Sequence, residues 1–335
     1  MTESALPADF LTRSPEESAR LQALQLLTEA AQAKERLVLV DPDDEEALHD
    51  FRVALRRLRS TLRAYRPVMA DAVPRKLQRR LANLADSTNA ARDAEVQLDW
   101  LRRTEKDLPG PARRGAAWLI AGLEAVEESE RERGRSRAAA RFDKLDAALR
   151  KRLQSFRVEY DLGHSPPRRT FGAWLGALLV EHAAELREDL GAISSLADVE
   201  ASHRARIAAK RLRYLLEPLR ACSEGAAPLV ERLKSLQDEL GDLHDAQVLV
   251  QTLADTLAEA AAERARQRVD LALQHGSTSS LARAAGRAAT PPGFLLLVDR
   301  LQAEQIKVFI ALQRHWLTGK SEPFLDDVEQ FARTL

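Results

Sequence analysis

The chain has 335 residues, with 51 basic and 51 acidic side chains, one cysteine and 45% hydrophobic residues. That length can bury a large core and by size alone suits two domains, while the single Cys222 excludes an intrachain disulfide or a cysteine-based zinc site and fits a reducing cytoplasm. No basic-then-apolar leader opens the sequence, and no apolar run nears the roughly 20 residues that span a bilayer, so the expectation is a soluble, cytoplasmic chain without membrane attachment.

Ala, Leu, Arg and Glu dominate and β-branched runs are almost absent, which predicts an all-α protein. Ser14-Pro15-Glu16-Glu17 has the form of a helix start: a capping hydroxyl, proline at the first position, then early acids. The helix should run to about Leu39, and Asp41-Pro42-Asp43-Asp44 should break it and cap the next. That next helix carries HDFRVALRRLRSTLRAYR, residues 49–66, and stops at Pro67. At 100° per residue, His49, Arg52, Arg56, Arg59 and Arg63 fall within an arc of about 80°. Phe51, Leu55, Leu58, Leu62 and Tyr65 fall on an arc about 120° away, so one side packs while its neighbour presents a column of cations. Residues 51–80 hold ten basic side chains against Asp71 alone, a segment of +9 inside a remainder of −9. A cationic column with nothing nearby to neutralise it implies an anion supplied from elsewhere.

A third helix should begin near Pro74, with Leu77, Leu81 and Leu84 spaced for packing, and a fourth should run from about Thr88 to Lys106 before Pro109-Gly110-Pro111. Four amphipathic helices with short connections read as a bundle. Residues 111–157, rich in Glu and Arg at i, i+4 spacing, read as two solvated scaffold helices. Asp161 to Thr170 is the best internal boundary, and Gly276 to Gly293 the expected mobile loop. Between them the spacing predicts helices near 171–190, 198–221, 227–241 and 243–275; a last helix should cover about Phe294 to Trp316, with a short one after Ser321. The division is thus a tail at 1–14, bundles at 15–157 and 171–318, and a tail at 319–335. Trp118, Trp174 and Trp316 are assigned to the core.

The second half repeats the first. HRARIAAKRLRYLLEPLR, residues 203–220, places His203, Arg206, Lys210, Arg211 and Arg213 opposite His49, Arg52, Arg56, Arg57 and Arg59 at a constant offset of 154, although Glu217 answers Arg63. LADSTNAARDAEV and LQDELGDLHDAQV then match at an offset of 152, aligning Asp93 with Asp245 and Arg92 with His244. Two blocks in the same order at nearly the same spacing indicate an internal duplication.

At these residues the chain resembles the CHAD family, helical domains named for their histidines. HDFRVALRRLRSTL and AARDAEV are similar to the signatures of the family's first half, HRARIAAKRLRYLLE and LGDLHDAQV to those of its second, and the likeness covers roughly residues 15–320. The resemblance implies two four-helix bundles related by a pseudo-two-fold, with a basic channel between them that binds inorganic polyphosphate, often at polyphosphate granules. On that reading the ligand contacts are His49, Arg52, Arg56, Arg59, Arg63, Lys76, Arg80, Arg92, His203, Arg206, Lys210, Arg213, Lys234 and His244. Arg57 and Arg211 point off the columns and are matched with Asp93 and Asp245 as structural ion pairs. Of the cations near 75–80, Arg75, Lys76, Arg79 and Arg80, only some can face a channel. No catalytic residue, cofactor or metal is expected, since each column offers one histidine among arginines that repel a cation. Single-strand nucleic-acid binders interleave aromatics with their cations; Tyr65 and Tyr214 are the only ones in these columns, which argues against nucleic acid as the partner. Inositol phosphates, as compact polyanions, fit the same chemistry.

Overall fold

The structure is a computed structural model that describes residues 6–39, 45–155, 169–276 and 294–335, with the side chains of residues 45, 89–93, 111, 126–136, 260, 264, 294 and 295 also outside the description. The expected cap at 41–44, the boundary at 161–170 except its last two residues, and most of the loop at 276–293 therefore lie outside the described residues. Among those described there is no strand, and the helices are α1 Pro15–Leu39, α2 Glu45–Ala64, α3 Arg66–Met69, α4 Arg75–Asp86, α5 Asn89–Glu105, α6 Gly110–Leu153, α7 Phe171–Gly191, α8 Val199–Leu216, a 3₁₀ turn Glu217–Ala221, α9 Ala226–His275, α10 Phe294–His315 and α11 Glu322–Ala332. None of them is long and apolar enough to cross a membrane.

Local chemistry fixes two of these starts. Ser14 Oγ accepts from the Glu17 amide at 3.3 Å, and Thr170 Oγ1 from the Ala173 amide at 3.2 Å, so α1 and α7 begin on side-chain caps. Two expected breaks are missing. Where two helices were expected in 111–157, Gly110–Leu153 is one, and the two helices predicted at 227–241 and 243–275 are a single α9. Neither region contains an internal proline past its first turn, and Gly241 alone does not stop a helix that packs on both sides of it.

Compactness divides the chain differently from sequence order: one unit comprises residues 1–90, 129–240 and 312–335, and the other residues 91–128 and 241–311. The expected 15–157 and 171–318 halves are not the units, because α1 and α2 from the first half join α7 and α8 from the second. In that larger unit α1 packs on α2, α2 on α8, α8 on α7 and α7 back on α1, a closed ring of four helices. Phe51, Leu55, Leu58 and Leu62 of α2 and Ala205, Ala209, Leu212 and Leu216 of α8 are buried within it. Tyr65 meets Phe171 and Trp174 edge-on, with centroids 5.7 and 5.5 Å apart, and donates its buried hydroxyl to Gln22 at 2.7 Å. Burial pushes the Tyr65 phenol far above its ordinary titration range, so it stays neutral.

The C-terminal α11 docks on α7. Side chains at Gly172 and Gly176 would collide with the Leu335 and Ala332 carbonyl oxygens, and Arg187 donates to Glu322, Asp326 and Glu329 of α11 at 2.8, 3.2 and 2.8 Å. The smaller unit has its own core, in which Leu101, Leu108 and Leu119 pack with Leu249, Leu253, Leu297 and Leu301. Within it Gln97 donates to Thr252 at 3.0 Å. Trp316 is buried as expected, Trp174 is half-buried against Tyr65 and Phe171, and Trp118 is exposed.

Candidate functional site

The apolar arc of α2 faces the ring, which turns the neighbouring arc toward α4 and α8. Between α2, α3 and α4 lies a groove of about 430 Å³. Leu62 and Leu81, both buried, lie beneath it, and Arg59, Arg63, Arg66, Arg75 and Arg79 surround it. Arg59 is bridged to Asp86 at 2.8 Å. Among the described residues Arg66, Arg75 and Arg79 form no ion pair, so most of this charge is left for solvent or a ligand.

Arg63 also marks where the two basic helices meet. Its pKa is held below the ordinary arginine value, first by burial and then by the positive charges of Arg211 and Arg59, with Glu185 opposing them. Arg211 lies 3.4 Å from Glu185, which in turn meets the His182 ring 2.9 Å away. Glu217 sits between the helices with one oxygen 3.3 Å from Arg57 of α2 and the other 3.3 Å from Arg213 of α8. The Arg213 guanidinium also lies 5.1 Å above the Tyr214 ring.

The predicted residues fall into distinct groups. Arg52 is buried, Arg56 is half-buried on α2, and His203, Arg206, Lys210 and Arg213 are half-buried on α8. His49 is exposed at the start of α2, as are Lys76, Arg80 and Lys234 on their helices. Arg59 and Arg63 reach the groove; Lys76 and Arg80 do not line it, because they lie about 100° round α4 from Arg75 and Arg79. His244 and Asp245 are half-buried on the stretch of α9 that belongs to the smaller unit, and the side chains of Arg92 and Asp93 lie outside those described. Among the described side chains, the carboxylates beside Arg57 and Arg211 are Glu217 and Glu185.

The residues not foreseen are Arg66, Arg75 and Arg79 as groove walls and Glu185 and Glu217 as counter-charges. Arg75 and Arg79 do carry a signal, since they are one turn apart on a face of α4 away from its leucine stripe. Which face turns toward α2 depends on packing.

A strandless fold that brings two arginine-rich helices side by side defines an all-α protein with a concentrated cationic surface. The chain belongs to the CHAD domain family, whose profile matches residues 22–254. Among solved structures it is similar to PptA from Streptomyces chartreusis, with a TM-score of 0.59 and 18% identity over 90% of this chain and 99% of that one. It is also similar to the CHAD domain from the plant Ricinus communis, with a TM-score of 0.56 and 19% identity over 100% of this chain and 96% of that one. At that identity the likeness is one of fold. A comparison with curated protein sequences finds no match.

Proposed function

We propose that this protein binds inorganic polyphosphate without transforming it, along the basic faces of α2 and α8 and in the α2–α4 groove, and that it does so at polyphosphate granules. The observation that carries this reading is the set of five arginines around one groove, with Arg63 held among the like charges of Arg211 and Arg59. Such a cluster is relieved by an anion. Polyphosphate presents close to one charge per phosphoryl unit and no base to read. Residues three and four apart on a helix put donors roughly 5–6 Å from one another, a ladder for a repeating ligand. Arginine engages two phosphoryl oxygens at once, which suits it to this role better than lysine.

The same features disfavour RNA or single-stranded DNA. Tyr65 and Tyr214, the aromatics that the two columns offered for base stacking, are both buried. Polyphosphate should therefore outcompete RNA for the protein.

Titration calorimetry at several salt concentrations tests the proposal. Affinity should fall linearly with the logarithm of salt concentration, through counterion release. The triple change Arg63→Ala, Arg75→Ala and Arg79→Ala should weaken binding roughly a hundredfold or more, as loss of several charged hydrogen bonds implies, while circular dichroism stays helical. Wild-type affinity in that variant, or release of orthophosphate by the wild type, would overturn the reading.

A further inference from the structure

The two copies of the basic motif are not equivalent, and the difference is concentrated at the groove. With the offset of 154, Arg59, Arg63 and Arg66 correspond to Arg213, Glu217 and Arg220. With the offset of 152, Arg75, Arg79 and Ala82 correspond to Ala227, Glu231 and Lys234. The alignment has a physical check, because Leu77, Leu81 and Leu84 of α4 map onto Leu229, Leu233 and Leu236 of α9 and all six are buried. Five arginines around the first groove thus become two arginines, an alanine and two carboxylates in the second set, with Lys234 gained where the first has Ala82.

Those carboxylates engage the cations beside them. Glu217 lies 3.3 Å from Arg213, and Glu231 lies 3.7 Å from Arg220. The second set therefore carries its own counter-ions at the positions where the first set leaves Arg63 and Arg79 facing a cavity. An anion approaching the second set must displace a carboxylate from each arginine it takes, whereas in the first set only Arg59, bridged to Asp86, requires this and Arg63, Arg66, Arg75 and Arg79 are offered directly.

We infer that the doubled motif holds one open phosphate seat, the groove between α2 and α4, and one closed by Glu217 and Glu231. A phosphate chain is then anchored on the first copy and extends from there along the junction marked by Arg63 and Arg211. This inference rests on the polyphosphate reading and adds a polarity to it, because one end of the path binds more tightly than the other.

The test compares the affinity of the full chain for long-chain polyphosphate in four forms. Arg63→Glu with Arg79→Glu writes the second copy's acids into the first, and should weaken binding roughly a hundredfold. Lys76→Glu with Arg80→Glu makes the same charge change on a face of α4 outside the groove, and should weaken binding far less, through the screened long-range field alone. Glu217→Gln with Glu231→Arg opens the second seat and should tighten binding. Equal losses in the first two variants, or no gain in the third, would overturn the inference while leaving polyphosphate binding in place. Absence of binding by the wild type would overturn the proposed function itself, and this inference with it.

Discussion

The helices α2 and α8 derive from the same motif yet solve their packing in opposite ways. At three core positions α2 and the residue after it use Phe51, Leu55 and Tyr65 where α8 and the turn after it use Ala205, Ala209 and Leu219, and all six are buried. Phe51 stands edge-on to Phe142 with centroids 5.5 Å apart. The small residues of α8 instead leave its backbone open to a neighbour: Gln237 of α9 donates to the Ala209 carbonyl at 2.9 Å, in the interior. One copy is held by large apolar side chains, the other by close approach and buried polar contact. The two copies of the motif share the helix and most of its cations, while their surroundings differ.

The largest effects should come from exchanging these two solutions. Phe51→Ala removes a fully buried ring and should cost about 3–5 kcal/mol in chemical denaturation. Ala205→Phe, the reverse change at the matching position, overpacks a closed site and should cost about 1–3 kcal/mol. If Ala205→Phe left stability unchanged, α8 would have slack beneath it, and the contrast between a ring-packed and a closely approached helix would not stand.

Much of this was legible in the sequence because it depends on short-range pattern. Helix starts at Ser14 and Thr170, the leucine stripe of α4 and the paired basic helices follow from caps and from a period of 3.6 residues. That α2 and α8 carry matching cations was legible from the repeat, and the two helices pack on one another. What could not be read was long-range. The units combine pieces from both halves, which spacing along the chain does not encode. The continuous α9 was divided at Gly241 on a propensity argument, although burial of Leu240 and Leu243 on either side outweighs the roughly 1 kcal/mol that a glycine costs. The counter-charges were missed for a related reason. Glu185 and Glu217 lie outside the Arg-Asp segments that drew attention, and only folding brings them to Arg211 and Arg57.

A smaller change tests the junction itself. Glu217 is where the copies part, and its carboxylate joins Arg57 of one helix to Arg213 of the other. Glu217→Gln keeps the shape and removes the charge. Because the arginines are partly exposed, the loss should stay below about 1 kcal/mol. A double-mutant cycle with Arg213→Gln in urea denaturation should show positive coupling between the two positions. Zero coupling would mean that Glu217 fills space between the helices without bridging them.

The smallest expected effect concerns how α8 begins, and it depends on pH. Asp198 precedes the helix, and its Oδ2 accepts from the Ser194 and Ser195 amides at 2.9 and 2.8 Å and from their hydroxyls at 2.8 and 3.2 Å. These bonds, the Ser194 hydroxyl foremost, hold its pKa at about 2, below the ordinary 3.8. A depressed carboxylate pKa contributes stability that is complete above 3.8 and disappears as pH falls from there through about 2. Acid should therefore loosen the α7–α8 turn first. In hydrogen exchange the Ser194 and Ser195 amides should lose protection across that window, while amides of α2 from Phe51 to Leu62 stay protected. Asp198→Asn should remove the pH dependence of those two serine amides and leave polyphosphate affinity at neutral pH unaltered, since the open groove lies on α2 and α4. A parallel loss of protection in α2 would instead mean that the two basic helices unfold as one piece, and that the divergence between them stops at their side chains.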